Sequence, residues 1–325
     1  MPNMTLFKQL FISLPYPTES FSGKTVIVTG SNSGLGKEAA RHIARLGAST
    51  LILAVRDLEK GEAAKKDIEE TTNCGEDVIK IWHLDMSSYA SVLAFIERAE
   101  RELKRVDCLL ANAAIATMNF AIAEDNESTV TVNVISTFLL ALAMLPKMKE
   151  TANTFNTQPV ITITSSGAHA DAKFKEQSAP EGQILDTMND AKSFNMMLRY
   201  PDSKLLEVFC VKHLGEHHPK SQVAINNVDP GFCHSGIARE LTGVLAWVFW
   251  FNKLIFARST EYGSRTLVHA AGQGSGSHGQ YLSHCANAQP GPLVMGKDGE
   301  ELQERVWKEV AGKLEKIKPG ILNNI

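Results

Sequence analysis

The sequence predicts an α/β fold built on a doubly wound parallel sheet of about seven strands with helices on both faces. Short runs rich in Val, Ile and Leu alternate with segments of helical periodicity, which is typical of strand–helix–strand crossover units. Uninterrupted apolar runs such as VITIT at 160–164 indicate strands that are buried on both faces, as a parallel sheet requires. A glycine-rich turn also stands between the first apolar run and the first helical segment.

The predicted elements follow one another without an internal repeat or a low-complexity linker. The expected strands lie at 24–29, 49–55, 77–84, 106–111, 158–164, 221–228 and 278–283. The expected helices lie at 34–46, 58–72, 88–104, 124–149 and 202–217, with a further surface helix at 298–318. We therefore expect an N-terminal arm at 1–21, with a weak surface helix near 4–14, and a single domain at 22–325. Two insertions interrupt the alternation, near 167–199 and 236–262.

Composition and charge exclude several classes of protein. The 325 residues carry a formal net charge of −3 and no long block of Lys and Arg, so a nucleic-acid-binding surface is not expected. The N-terminus lacks a basic region followed by a long apolar run, and no transmembrane segment is expected. The five scattered cysteines form no C-x-x-C pair, which favours free thiols in a reducing compartment. We therefore expect a cytoplasmic protein.

The glycine turn lies within TVIVTGSNSGLGKEAARHIARLG, residues 25–47. Glycine permits backbone angles and close approaches that a Cβ forbids. The helix that follows begins with unpaired N–H groups and a partial positive charge, which suits a pyrophosphate. Such turns also serve tight strand–helix packing, but this one lies in a crossover unit and therefore predicts a Rossmann-like dinucleotide site. The residues expected to line it are Gly30, Ser31, Asn32, Ser33, Gly34, Leu35 and Gly36.

The end of the second strand predicts which dinucleotide is bound. An NAD site would place an acidic residue there to bind the adenosine ribose. In LILAVRDLEKG, Val55 holds that position and Arg56 follows it. A guanidinium matches a 2′-phosphate in charge and in donor geometry, and Lys37 on the first helix could assist it or could be a solvated cation. We therefore expect NADP(H) as the cofactor.

The segment RYPDSKLLEVF predicts acid–base chemistry. Tyr200 and Lys204 are expected to open a helix, where a spacing of four residues puts both side chains on one face. A phenol titrates at about pH 10, and a neighbouring ammonium lowers its pKa towards neutrality. Pro201 is expected to be tolerated in the first helical turn. A chance Y-x-x-x-K on an exposed helix is the alternative.

These motifs occur together with others in a fixed order. They are TGSNSGLG, ANAA at 111–114, Asn133 in VTVNVISTFLL, SSGAH, YPDSK and DPGFCHS. In this order the chain, over about residues 22–285, resembles a short-chain dehydrogenase/reductase of the retinol-dehydrogenase-like type, similar to many fungal enzymes. The resemblance implies an NAD(P)-binding catalytic domain that interconverts a ketone or aldehyde and an alcohol, with a place in secondary metabolism.

The resemblance also implies roles for individual residues. Ser166, rather than Ser165, would hydrogen-bond the substrate carbonyl oxygen, and Tyr200 would give that oxygen a proton. Lys204 would hold the nicotinamide ribose, and Asn133 would anchor a water in a proton relay, although a satisfied core asparagine is the alternative. The remaining cofactor-binding residues implied are Asp85, Met86, Asn112, Ala113, Ala114, Pro230, Gly231 and Ser235, beside Tyr200 and Lys204. The family usually has glycine at the position of Ala114.

The segment LTGVLAWVFWFNKLIFA, residues 241–257, is unusually apolar for a loop region. We expect it to form a lid over a lipophilic small-molecule substrate, with ordinary core packing and peripheral membrane contact as alternatives. The polar segment 167–199 is expected to form another wall of the entrance. The residues proposed to wall the pocket are Trp247, Phe249, Trp250, Phe251 and Phe256.

Several further expectations complete the analysis. His213, His217 and His218 lack the glutamate of a zinc hydrolase motif, so no metal is expected. His169 and His234 lie near expected active-site loops and are candidates for substrate contact. The resemblance implies a homodimer paired through the helices that carry Asn133 and Tyr200. A dinucleotide-sensing protein without catalysis is the alternative function, and a light-dependent reductase of a chlorophyll precursor is a more distant one.

Overall fold

The computed structural model describes residues 7, 9–237 and 243–325, and only the backbone of 244–246 and 248–249. Parts of the expected N-terminal surface helix and of the apolar segment at 241–242 therefore lie outside the described residues, as does the side chain of Phe249.

The main sheet has eight strands in the order β3-β2-β1-β4-β7-β8-β9-β10. All neighbours are parallel except β9 and β10. These are β1 Thr25–Thr29, β2 Thr50–Val55, β3 Ile79–His83, β4 Cys108–Ala111, β7 Val160–Thr164, β8 Ala224–Asp229, β9 Tyr281–Ser283 and β10 Ala286–Ala288. A separate hairpin pairs β5 Ile122–Ala123 with β6 Asn126–Glu127. The expected class of fold is confirmed.

The helices are described here in chain order. They are α1 Gly34–Arg45, α2 Leu58–Thr72, α3 Tyr89–Glu102, α4 Ser128–Phe155, α5 Ile184–Met188, α6 Met196–His217, α7 Gly243–Phe256, α8 Thr260–Gly272, α9 Pro292–Met295 and α10 Gly299–Ile317. Each of the seven expected strands is present. The antiparallel strand β10, the hairpin and the helices α5, α8 and α9 were not expected. The strands β5, β6 and β10 are only two or three residues long and carry little periodicity.

The sheet separates two layers of packed helices. Strand β1 shows the division, because Ile27 packs with the apolar residues of α3, α4 and α6, whereas Val26 and Val28 pack with those of α1, α2 and α8. Alternate side chains of a strand point to opposite faces, so a run of consecutive buried residues indicates helices on both sides. The expected doubly wound arrangement is therefore present.

Helix α4 is the one described helix that is long and apolar enough to cross a membrane by length and composition. Its apolar window is 94% buried inside the protein, so these side chains pack in the core beside the sheet. A π-helical turn at Thr131–Ile135 interrupts its first part and contains Asn133. Such turns are frequent at functional sites.

Helix α6 begins earlier than the sequence predicts. Its N-cap is Asn195, whose side chain accepts a hydrogen bond from the Met197 N–H. Tyr200 therefore lies in the second turn, and the expectation that it opens the helix is wrong. Pro201 is inside the helix and removes the N–H that would bond to the Met197 carbonyl.

The insertion at 167–199 is packed against the domain through several buried groups. Phe174 is fully buried, and its N–H donates to Asp202 Oδ1 at 3.1 Å. The buried guanidinium of Arg199 lies 3.7 Å from Glu127 Oε2 and 3.4 Å from Glu176 Oε1. One cation thus faces several buried carboxyl groups, and burial raises the pKa of Asp202 to about 6.

The C-terminal helix α10 is present where it was expected, but one face of it is buried. This face packs along α6, and its buried apolar residues are Leu302, Val306, Val310, Ala311 and Leu314. The chain end that follows reaches α4, where Lys149 Nζ donates to the Asn324 carbonyl at 2.7 Å and Asn324 Nδ2 donates to the Leu142 carbonyl at 3.1 Å. The C-terminal segment therefore covers the outer side of α4 and α6.

Candidate active site

The glycine turn follows β1, and its conformation depends on glycine at several positions. Gly30 and Gly34 have φ values of 63° and 60°, a region that other residues disfavour. A Cβ on Gly36 would lie 2.6 Å from the Gly30 carbonyl oxygen, whereas space is open around Gly34. Ser33 occupies the N-cap position of α1, but its side chain accepts no hydrogen bond from the first N–H groups of the helix. These features fit a pyrophosphate.

The other residues of the turn differ in their freedom to contact a cofactor. Ser31 is fully buried, and its hydroxyl donates to the Val28 carbonyl at 2.9 Å. It therefore stabilises the turn, and its side chain is engaged within the protein. Ser33 is exposed, while Asn32 and Leu35 are half-buried.

Thr29 positions the turn, a role that the sequence analysis missed. Its hydroxyl oxygen accepts hydrogen bonds from the Asn112 and Ala113 N–H groups, both at 2.9 Å. Asn112 Nδ2 in turn donates to the Thr29 carbonyl at 3.0 Å and is 3.4 Å from the Gly30 carbonyl. The ends of β1 and β4 are thus joined. A threonine that ends the apolar run TVIVT, directly before the glycine turn, was the available signal in the sequence.

The two cations expected near the adenosine ribose are in different environments. Arg56 follows β2, is exposed, and makes no hydrogen bond or ion pair with the described residues. Lys37 instead pairs with Asp67 Oδ2 on α2 at 2.9 Å. Hydrogen bonds from Arg41 and Lys37 lower the pKa of Asp67 to about 2. Arg56 is therefore the freer of the two cations.

The residues after β3 and β4 lie at the same carboxyl edge of the sheet. Asp85 is half-buried, and its Oδ1 accepts from the Ser87 N–H at 2.9 Å and from the Ser87 hydroxyl at 2.7 Å. Met86 is buried, and Ala113 and Ala114 are half-buried. In doubly wound folds, ligands bind at this edge of the sheet.

Tyr200, Lys204 and Ser166 lie together beyond the end of β7. The Lys204 ammonium is 5.7 Å from the centroid of the Tyr200 ring. Its Nζ donates to the Thr164 carbonyl at 2.9 Å, which fixes it to the strand. A hydrogen bond from Ser166 acts on the Tyr200 phenol in the direction that lowers its pKa. Ser165 points elsewhere, because its hydroxyl donates to the Lys204 carbonyl at 3.3 Å.

The pKa of the Tyr200 phenol is raised in this structure. Burial is the largest cause, Lys204 opposes it, and the negative charge of Glu207 adds to the increase. The ammonium thus acts in the expected direction, but the net direction differs from that expected, because burial outweighs it. The phenol is therefore held protonated at neutral pH, which suits a proton donor.

Glu207 is a second group that the sequence analysis missed. Its Oε1 accepts a hydrogen bond from Lys204 Nζ at 2.7 Å, and both side chains are almost completely buried. Its Oε2 is buried and has no hydrogen-bond partner among the described residues. Burial raises the pKa of Glu207 to about 7, against the opposing effect of Lys204. A carboxylate within the apolar run LLEVFCV was the available signal.

Asn133 braces the site through both ends of its amide. Its Oδ1 accepts from the Ile115 N–H at 2.9 Å, and its Nδ2 donates to the Ile115 carbonyl at 2.9 Å and to Ser203 Oγ at 3.0 Å. Ser203 Oγ donates to the Tyr200 carbonyl at 2.8 Å. The amide is thus a satisfied core asparagine that joins the loop after β4 to α6.

The turn after β8 is fixed by Asp229. Its Oδ1 accepts from the Gly231 N–H at 2.9 Å, and its Oδ2 accepts from the Ser283 hydroxyl at 3.2 Å. Gly231 has a φ of 76°, a conformation that favours glycine after Pro230. Ser235 is half-buried, and its carbonyl accepts from Lys253 Nζ at 2.5 Å. This bond ties the turn to α7.

The two histidines near the expected active-site loops differ in burial. His169 is buried, with Nδ1 2.7 Å from the Ser166 carbonyl and Nε2 accepting from the Gly291 N–H at 2.8 Å. Both ring nitrogens are therefore engaged, and burial lowers the pKa of His169. This arrangement fixes the Ser166 loop and leaves neither nitrogen for substrate. His234 is exposed.

His213, His217 and Glu304 bring three ligand atoms together. The two imidazole rings are stacked with centroids 3.9 Å apart and planes 16° apart. A metal ion lies close to the plane of each imidazole that binds it, and two stacked rings do not favour one shared ion. The Glu304 carboxylate instead lies 2.9 Å from His213 Nδ1, as a hydrogen-bond partner.

Helix α7 exposes most of its described large apolar side chains. Trp247 is 73% exposed, Trp250 is 56% exposed, and their rings pack edge to face at 6.2 Å. Phe251 and Leu254 are also exposed, whereas Phe256 is half-buried. Core packing therefore does not account for these side chains.

The N-terminal arm contacts both ends of the segment that contains α7. Gln9 Nε2 donates to the Phe232 carbonyl at 3.0 Å and to the Phe256 carbonyl at 2.7 Å. Its Oε1 accepts from the Phe232 N–H at 3.0 Å. One side chain from the arm thus fixes both ends of the segment, a contact that the sequence analysis did not predict.

Comparisons with known proteins agree with this geometry. Residues 24–175 match the family model described as short chain dehydrogenase. The chain is 54% identical over 323 residues to the short chain dehydrogenase/reductase dmxR8 of Cryptosporiopsis sp., covering 98% of this chain and 99% of that protein. It is 40% identical to the short-chain dehydrogenase anuD of Penicillium roqueforti, covering 97% and 84% of the two chains.

The fold is also shared with solved structures. One is a 3-ketoacyl-(acyl-carrier-protein) reductase from Brucella melitensis complexed with NADH, with a TM-score of 0.60 and 20% identity, covering 81% of this chain and 97% of that one. Short chain dehydrogenases, the family matched above, are oxidoreductases that use nicotinamide dinucleotides. By its sequence and its fold, the chain belongs to the short-chain dehydrogenase/reductase family.

Proposed function

We propose that the protein is an NADP(H)-dependent oxidoreductase that interconverts a ketone or aldehyde and an alcohol on a lipophilic small molecule. The observation that carries the proposal is the cluster of Tyr200, Lys204 and Ser166 at the carboxyl edge of the sheet. Hydrogen bonds through Asn133 and Ser203 join it to the loop after β4, and Thr29 joins that loop to the glycine turn. A single domain over 22–325 is part of the proposal.

The side chains support a simple division of roles. A bound nicotinamide dinucleotide supplies or accepts the hydride. In the reducing direction, Tyr200 donates its phenolic proton to the substrate oxygen, and Ser166 donates a hydrogen bond to the same oxygen. The Lys204 ammonium stabilises the phenolate that Tyr200 becomes. Oxidation of the alcohol reverses these transfers, because Tyr200 then accepts the proton.

The choice of NADP(H) rests on Arg56. The exposed guanidinium of Arg56, which has no hydrogen-bond or ion-pair partner among the described residues, follows β2 at the position where a 2′-phosphate would lie in a Rossmann-type site. Lys37 contributes less in this proposal, because its ammonium already pairs with Asp67. The remaining cofactor contacts proposed are those of the glycine turn, Asp85, Met86, the 112–114 loop, Pro230, Gly231 and Ser235.

The lipophilic substrate is proposed from the exposed aromatic side chains of α7. Trp247 and Trp250 lie on α7, and Lys253 of the same helix donates to the Ser235 carbonyl in the turn after β8. We propose that α7 is a lid whose aromatic side chains become covered when substrate binds, because such apolar surface is costly to leave in water. The insertion at 167–199 is proposed as the opposite wall.

The assembly proposed differs from the expected homodimer. Pairing through α4 and α6 would require their outer sides, which α10 and the C-terminal turn cover. We therefore propose that any dimer uses another surface. A cytoplasmic location is retained as a proposal, on the ground of the free cysteines alone.

The test is a panel of lipophilic ketones and aldehydes assayed with NADPH and with NADH. Consumption of the reduced nicotinamide is followed by its absorbance. We expect turnover of at least one substrate, with kcat/KM at least about tenfold higher for NADPH, because a charge-assisted contact to the 2′-phosphate is worth about 1.5–3 kcal/mol. Equal efficiency with both cofactors would contradict the choice of NADP(H). Tight cofactor binding without any turnover across the panel would favour a dinucleotide sensor.

A further inference from the structure

Glu207 is a neighbour of the Lys204 ammonium that the proposed chemistry does not use, and the contacts of Lys204 define its place. Lys204 Nζ donates to Glu207 Oε1 at 2.7 Å and to the Thr164 carbonyl at 2.9 Å. Two of its three N–H donors are thus directed to fixed acceptors on α6 and β7. Only one donor is left to point towards the tyrosine and a bound ribose.

The pair is isolated from solvent. Lys204 and Glu207 are each 1% exposed, and within the described part of the chain Glu207 Oε2 is buried without a hydrogen-bond partner. A buried carboxylate is costly unless it is paired, so the ammonium is what keeps it in place. The backbone there is also fixed, because Asn227 Nδ2 donates to the Glu207 carbonyl at 3.2 Å.

Few other charged or titratable groups surround the pair. On α6 they are the Tyr200 phenol and the buried Cys210 thiol, whose pKa is raised by burial and by the charge of Glu207. From β8 the Asp229 carboxylate acts on the phenol, and β7 contributes only the neutral Thr164 carbonyl and Ser165 hydroxyl. The charge on Glu207 therefore acts on the Tyr200 phenol, and its carboxylate is bonded directly to the Lys204 ammonium.

We propose that Glu207 is a positioning residue that holds the Lys204 ammonium against β7 and offsets part of its charge, so that Tyr200, Lys204 and Glu207 act as one proton-handling unit. The proposal deepens the proposed function and rests on it. Without the carboxylate, the ammonium would act on the phenol undiminished. With it, the phenol keeps its proton to a higher pH, which favours carbonyl reduction over alcohol oxidation near neutrality.

The test is the variant Glu207→Gln, which is nearly isosteric and keeps an acceptor for Lys204 but removes the negative charge. We expect the alkaline limb of the pH profile for kcat/KM in reduction to move down by on the order of one pH unit. An unmoved limb, or one that moves up, would overturn the proposal. The matched control is Glu216→Gln, which removes the carboxylate of the partly exposed Lys212–Glu216 pair on the same helix and should leave the limb in place.

A second variant separates charge from reach. Glu207→Asp keeps the charge but shortens the side chain, so kcat should fall about tenfold while the limb stays near its wild-type position. Wild-type kcat in this variant would overturn the positioning role. If the alkaline limb moved as far as in Glu207→Gln, the charge of Glu207 would not be the cause of the shift, and the proposal would be overturned as well.

A third measurement does not depend on turnover. Ultraviolet difference titration, with Tyr200→Phe subtracted, follows the ionisation of the phenol directly. We expect the phenol to ionise at lower pH in Glu207→Gln than in the wild type, and no difference would overturn the proposal. Retained activity in Tyr200→Phe would instead contradict the proposed function, so the two failures are distinguishable.

Discussion

The candidate site has two halves that differ in how far their side chains are engaged by the protein. Around β7 and α6, the polar groups of Lys204, Asn133 and Ser203 bond to fixed partners. Arg56 and Trp250 lie in the other half, exposed to solvent. The engaged half has one geometry and suits a fixed chemical step. The free half presents side chains that are exposed to solvent, and such groups determine which molecules bind.

This difference leads to a general expectation. Substitutions in the free half should change KM and selectivity between molecules, with little effect on folding. Substitutions in the engaged half should change kcat, its pH dependence or the free energy of unfolding, whichever substrate is used.

The largest effect expected in the free half is at Arg56. Arg56→Ser should lower kcat/KM for NADPH by about 10- to 100-fold and change that for NADH by no more than about threefold, because only NADPH carries the 2′-phosphate. Steady-state kinetics with both cofactors measures this. The exposed Arg101, which pairs with Glu102 on α3, provides the control variant Arg101→Ser. An equal loss of kcat/KM with both cofactors would show that Arg56 does not determine the preference for NADPH.

A smaller effect is expected on α7. The double substitution of Trp247 and Trp250 by Ala should raise KM for a lipophilic ketone by about tenfold, since each ring can cover apolar substrate surface, and should change little for a small ketone. Met295→Ala, at another exposed apolar side chain, is the control. Unchanged KM and kcat for every substrate would refute the lid.

The smallest effect concerns stability in the engaged half. Burial raises the pKa of Asp202 to about 6 from 3.8, so this group binds its proton more tightly in the folded state. The stability that this tighter proton binding gives to the folded state is fully present below about pH 4 and is lost as the pH rises through about 6. Asp202→Asn should therefore remove this loss and raise Tm at neutral pH by a few degrees, an amount that corresponds to about 1–3 kcal/mol.

The comparison variant for that experiment is Asp298→Asn, because Asp298 caps α10 without a side-chain hydrogen bond. Thermal unfolding of both variants and of the wild type, measured from pH 4 to pH 8, gives the result. A Tm profile for Asp202→Asn that runs parallel to the wild-type profile would show that the Asp202 carboxyl is not proton-linked to folding.

Much of the fold and of the candidate site could be predicted from local sequence patterns. Consecutive apolar residues mark a strand buried on both faces, which is why β1 and β7 lie within two residues of their expected bounds. The position of Arg56 after β2 also follows from the chain order alone. Such features depend on neighbours in sequence, and these can be read directly.

Contacts between distant parts of the chain could not be predicted in this way. The bond from Thr29 to Asn112 spans 83 residues, and the bonds from Gln9 to Phe232 and Phe256 span more than 220. The direction in which the Tyr200 pKa is shifted could not be predicted either. The ammonium one helical turn away is visible in the sequence, but the burial that outweighs it is not. Tertiary packing decides both.

The most direct test of the central claim is turnover by Tyr200→Phe. The variant should bind NADPH as the wild type does, measured by fluorescence titration, while kcat falls by about 10²- to 10⁴-fold, because the proton donor is lost and the ring is kept. Tyr16→Phe, at an exposed tyrosine, is the matched control. Wild-type turnover by a folded, NADPH-binding Tyr200→Phe variant would contradict the account.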